Sequence, residues 1–130
     1  MVPDMPAKWN ADYVAWKIRF ERHLEYITDP NMILVGRSLG TTFLLKYLTE
    51  NATPTNIQQL HLVSPYVTEC FPGEVLGSFE FDLNATSNLS QSIPNIALYH
   101  STDDTIVPIS DAQLLHSYIP SANMYTFTDR

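Results

Sequence analysis

Cysteine is nearly absent from this 130-residue chain: Cys70 stands alone, so no disulfide can close within it. That scarcity suits a reducing compartment. Thr68-Glu69-Cys70-Phe71-Pro72 places no cation beside the thiol, which leaves Cys70 a bystander and not a nucleophile. Cations are scarce as well. Seven Lys and Arg face fourteen Asp and Glu, for a net charge of −7, and the seven form no basic stripe. A nucleic-acid partner and a polybasic membrane patch are thereby excluded. No apolar run reaches membrane-spanning length, and the first residues lack the basic-then-apolar pattern of a secretory signal. The expectation is a soluble, cytoplasmic protein, in which the sequons at Asn51, Asn84 and Asn88 are chance matches in polar loops. The four histidines have no paired spacing of the kind zinc requires, so neither a metal nor another cofactor is expected.

What is present is the material of a globular core: 45% of residues are apolar and 12% aromatic, enough for one domain spanning 1–130. Val2-Pro3-Asp4-Met5-Pro6 reads as the tail of a strand. Asn10 is placed to cap a helix whose apolar face is Tyr13, Trp16, Phe20, Leu24 and Ile27, ended by Thr28-Asp29-Pro30. Residues 31–35 form a strand, and Leu39, Phe43, Leu44, Tyr47 and Leu48 recur at helical spacing. Further strands are expected at 57–63, 95–99 and 122–127, with a helix from a Ser110 cap to Tyr118. Between them, residues 66–94 lack periodicity apart from a short helix near 84–91. Such an insertion either shapes a binding site or is a variable surface loop. Alternating strands and helices predict a three-layer α/β/α domain around a mostly parallel, doubly wound sheet. Ligands of such sheets sit outside the carboxyl ends of the strands.

Gly36-Arg37-Ser38-Leu39-Gly40 falls at one of those ends, between the apolar run Ile33-Leu34-Val35 and a helix. Gly-x-Ser-x-Gly in that setting is the pattern of a nucleophile elbow, a tight turn that lifts a serine hydroxyl above the sheet. Backbone approaches so closely there that side chains are excluded at both flanks, hence Gly36 and Gly40. The alternative is an ordinary strand–helix turn whose glycines serve packing and whose serine caps the helix.

A serine hydroxyl needs an imidazole to take its proton and a carboxylate to orient that imidazole. In hydrolase chain order the acid follows the serine, and the histidine follows the acid. His100-Ser101-Thr102-Asp103-Asp104 lies at a later strand end, and both aspartates are candidates. An acidic loop of this kind is equally compatible with a solvated turn or a helix-start motif.

Four blocks stand in order: Val2-Pro3-Asp4-Met5-Pro6, the Gly36–Gly40 turn, His61-Leu62-Val63-Ser64-Pro65, and His100 to Asp104 followed by Val107-Pro108. Together they resemble the small serine hydrolases of the retinoblastoma-binding-protein-9 and YdeN-like group, within the α/β-hydrolase superfamily. The resemblance covers nearly the whole chain. It implies that Ser38 is the nucleophile, Asp104 the catalytic acid with Asp103 in support, and Leu39 N–H one oxyanion donor. The substrate it implies is a small ester, thioester or amide.

Two parts of the group's plan have no counterpart. Its catalytic histidine follows the last strand, whereas this sequence stops at Asp129-Arg130. Its first strand and His-Gly loop precede the Val-Pro-Asp segment. His23, His61, His100 and His116 are each placed by the pattern in structural roles. The expectation is therefore a domain truncated at both ends, with β-edge groups unpaired beside the nucleophile strand and little or no activity. Arg37 departs from the group's usual histidine, and a cation there suggests a preference for anionic substrates. The rival reading is a non-catalytic module that binds a ligand or partner protein. A nucleotide-binding domain is disfavoured, because the turn has neither the phosphate-loop lysine nor dinucleotide glycine spacing.

Overall fold

The computed structural model describes residues 1–7, 9–52, 54–69 and 76–128. Cys70 and Asp129-Arg130 lie outside them. The elements run α1 (Tyr13–Leu24), β1 (Met32–Arg37), α2 (Leu39–Glu50), β2 (Ile57–Val63), two 3-10 segments (Gly77–Phe79 and Leu83–Gln91), β3 (Asn95–Ser101), α3 (Ile109–Tyr118) and β4 (Asn123–Phe127). Their order matches the sequence reading. The caps do not. Asp12, not Asn10, caps α1, its carboxylate accepting from Ala15 N–H, and α1 stops at Leu24 before Thr28-Asp29-Pro30 is reached. At α3 the cap position is Pro108 and Ser110 lies inside the helix. A proline is suited to such a boundary because its φ is already fixed. Val2–Pro6 forms no strand.

The four strands are parallel and ordered β1-β2-β3-β4, each paired to its successor. Parallel neighbours need a crossover between them, supplied here by α2, by the two 3-10 segments and by α3. Leu34, Leu60, Leu62, Ile96 and Leu98 face one side and are buried under α2, α3 and the Leu83–Gln91 segment. α1 packs on α2 through edge-to-face rings, Phe20 against Phe43 at 5.3 Å and against Tyr47 at 5.0 Å.

The α/β class and the parallel sheet are as expected, and the described residues build one of the two helical layers. On the other face Ile33 and Val35 are 53% and 65% exposed. Beside them His61, Tyr99 and Tyr125 stack ring on ring across three strands. β1 is an edge strand. An apolar groove of about 700 Å³ runs along it between α1 and α2, with Met1, Val2 and Pro3 among its walls.

Candidate active site

The carboxyl ends of the strands are stitched in a staircase. Ser38 N–H donates to Val63 O at 2.9 Å, Ser64 N–H to Tyr99 O at 2.8 Å, and Thr102 N–H to Phe127 O at 2.8 Å. The backbone carries three residues just past β1, β2 and β3 to one edge. Ser38 and Ser64 both hold positive φ, at 50° and 46°. For a residue with a Cβ that conformation costs on the order of 1–3 kcal/mol and persists only where its surroundings enforce it.

At Ser38 the enforcement is steric. A Cβ on Gly36 would sit 2.8 Å from the Gly40 carbonyl oxygen and 3.0 Å from Leu44 Cδ1. The expected exclusion holds on that side alone. A Cβ on Gly40 would meet nothing within 4 Å, because Gly40 faces the open groove beside β1. The Ser38 hydroxyl makes no capping hydrogen bond to α2 and is partly exposed. Leu39 opens α2, so its N–H belongs to the first turn, whose amides lack partners within the helix.

Ser38 and Leu39 line a cavity of about 450 Å³ together with Trp9, Tyr66, Phe79 and Ile106. Arg37 is not among its walls. The pleat of β1 buries Met32, Leu34 and Gly36 on one face and exposes Ile33, Val35 and Arg37 on the other. The guanidinium therefore lines the groove along β1 and not the cavity at Ser38, which removes the basis for a cation steering anionic substrates.

Asp104 lies just past β3, two strands from β1 with β2 between. Its Oδ1 accepts from Ile106 N–H at 2.9 Å and Val107 N–H at 3.1 Å, and its Oδ2 from the Ser64 hydroxyl at 3.2 Å. Partial burial pushes this carboxyl up. The two amides, the Ser64 hydroxyl and Coulombic attraction to His100 outweigh that and hold it below the ordinary 3.8. Asp103 is exposed and is held in the loop by the Ser101 hydroxyl. The sequence reading had no role for Ser64. Its only signal was a serine–proline pair at a strand end.

All four histidines are engaged elsewhere. His23 Nδ1 contacts Arg19 O, and His116 Nε2 contacts Ala122 O. His61 bridges Tyr99 and Gln59 on the open sheet face. His100 is 2% exposed and its Nε2–H donates to Val107 O at 2.8 Å, which ties down the loop that carries Asp104. None of them pairs with Ser38. Among the described residues no cluster of His, Cys, Asp or Glu could hold a metal ion, and no helix is long and apolar enough to cross a membrane.

Solved structures share this fold. The ydeN gene product of B. subtilis superposes with a TM-score of 0.76 at 23% identity, over 97% of this chain and 67% of that one. The fold is an incomplete α/β-hydrolase fold. A meta-cleavage product hydrolase from Pseudomonas fluorescens matches at TM-score 0.70 and 12% identity, over 95% of this chain and 66% of that chain. The esterase domain of a Rhodothermus marinus protein matches at 0.62 and 19%, over 85% and 55%. The chain thus spans little more than half the length of that esterase domain. No family model matches the sequence, and no curated relative does.

Proposed function

We propose that this chain carries the nucleophile and the acid of a serine hydrolase acting on a small ester, thioester or amide. The observation that carries the reading is Ser38: a strained, cap-free, partly exposed serine on the wall of a cavity, two strands from an ionised carboxylate. The esterases and hydrolases among its structural neighbours support it at the level of fold.

In this reaction an imidazole takes the proton of Ser38 Oγ as that oxygen bonds to the substrate carbonyl carbon. The carbonyl electron pair moves onto its oxygen, where Leu39 N–H stabilises the charge. Collapse expels the alcohol, thiol or amine, which recovers the proton from the imidazolium. Water then repeats the sequence on the acyl-serine and frees the acid. Asp104 orients the imidazole through Oδ2 and favours its cation. β1 and β3 are two strand spacings apart, roughly 10 Å, so a ring fits between hydroxyl and carboxylate. That ring is none of the chain's four histidines, so the protein alone is expected to be nearly inert. Loss of a triad member costs on the order of 10⁴- to 10⁶-fold. A cytoplasmic setting accords with the lone cysteine.

Added imidazole supplies the test. p-Nitrophenyl butyrate hydrolysis by the wild-type chain should rise with imidazole and saturate, whereas Ser38→Ala should show only the linear reaction of free imidazole. Superimposable curves would leave the non-catalytic binding module as the better reading.

A further inference from the structure

His100 is a polar residue in an apolar position. It follows Ile96 and Leu98 on the inner face of β3, and all three side chains are buried. Its ring is anchored at one nitrogen alone. Val107 O can only accept, so the 2.8 Å contact makes Nε2 the protonated nitrogen. Nδ1 is buried and has no hydrogen-bond partner among the described residues. The neutral ring therefore leaves a lone pair in the interior with no donor, which is costly. A leucine here would continue the run of Ile96 and Leu98 without that cost. What it would lack is a donor for Val107 O.

That donor closes a short circuit. Val107 is buried, its carbonyl is held by His100, and its N–H is spent on Asp104 Oδ1. Ile106 N–H reaches the same oxygen. With Oδ1 engaged by both amides, Oδ2, which receives the Ser64 hydroxyl, is the oxygen turned away from the loop backbone. We infer that His100 is a positioning residue for Asp104: acting through Val107, its Nε2–H fixes the rotation of the carboxylate and so decides which oxygen is left to meet an imidazole. The use of that rotation rests on the hydrolase reading, while the linkage itself rests on the hydrogen bonds.

The linkage is measured without turnover, so its result stands apart from that of the imidazole experiment. In the wild-type chain, nitrogen-15 NMR at neutral pH should show the His100 ring neutral and protonated at Nε2. Carbon-13 titration of the Asp104 carboxyl then compares two amides of the same chemistry. His100→Gln carries its NH2 about as far out as Nε2 and should keep the Asp104 midpoint low. His100→Asn is too short to reach Val107 O and should move that midpoint upward, toward the ordinary carboxylate value. Both variants lose the attraction between ring and carboxylate, so the difference between them isolates the linkage. Imidazole-supported hydrolysis should fall by up to about 100-fold in His100→Asn and be rescued in His100→Gln. A merely structural histidine would lower the urea midpoint of both variants and leave their Asp104 titrations alike. An Nδ1–H tautomer in the wild-type chain, or coincident Asp104 titrations in the two variants, overturns the inference. The tautomer needs no variant and decides the matter if either fails to fold. A chain that passes this test but shows no response to imidazole has the positioned carboxylate without the chemistry.

Discussion

Asp104 and Asp111 lie seven residues apart on one strand–loop–helix unit, and the structure uses them in opposite ways. Asp111 is 2% exposed. Its Oδ2 accepts from Val67 N–H at 2.8 Å and Thr68 N–H at 2.9 Å, and its Oδ1 from the Thr68 hydroxyl at 2.6 Å. That carboxylate is consumed in tying the loop after β2 to the first turn of α3. Asp104 is also anchored by two amides and a hydroxyl, but it stays partly exposed just past the carboxyl end of β3. A carboxylate offers about four acceptor positions. What separates a structural aspartate from a candidate catalytic one here is access to those left over, not the number already filled.

The contrast breaks first at Asp111. Asp111→Ala strands two amides and a hydroxyl in the interior, at about 1–3 kcal/mol for each group left unsatisfied. The expected loss is about 3 kcal/mol or more in urea unfolding, against under about 1 kcal/mol for Asp104→Asn at neutral pH. Equal losses would show that Asp104 too is simply a structural anchor. The same opposition of sealed and open recurs inside the turn. Gly36→Ala pushes a methyl into Gly40 backbone and should cost about 1–3 kcal/mol. Gly40→Ala enters open space within a helix and should be neutral or stabilising by up to about 1 kcal/mol.

Acid sharpens the comparison further. Because the folded carboxyl of Asp104 lies below its ordinary value, its stabilisation is present above that value and is lost as pH falls through the folded pKa. Asp104→Asn should remove that part of the acid dependence of the denaturant midpoint, seen as pH falls below the ordinary carboxylate value. The smallest effect is at Ser64→Ala. Loss of one hydroxyl donor should raise the Asp104 carboxyl toward its ordinary value in a carbon-13 NMR titration, with the fold intact.

Much of this architecture was legible in the sequence, for identifiable reasons. β2 stands at Ile57–Val63 as read, its apolar Ile57, Leu60, Leu62 and Val63 lying between the turn residues Pro54-Thr55-Asn56 and Ser64-Pro65. The tight strand–helix turn at 36–40 was legible because its close approach of backbone demands glycine at position 36. The α1 cap was misread because Asn10 and Asp12 are equally able to accept, and only the chain's path chooses between them. Asp111 and Ser64 were invisible for a different reason. Their partners lie 44 and 40 residues away, and no local pattern encodes such a contact. Arg37 was misjudged because its neighbour in sequence is not its neighbour in space: alternation along β1 sends it to the other face.

The account depends on the Ser38 hydroxyl being a reachable nucleophile, and its most direct measure is the site of a trapped adduct. The full chain, treated with a fluorophosphonate in the presence of imidazole, is digested and its peptides weighed. A single phosphonyl group on Ser38, diminished in Asp104→Asn, is the predicted result. Adduct distributed over other serines, or none on Ser38 at imidazole concentrations that saturate the esterase assay, would contradict it.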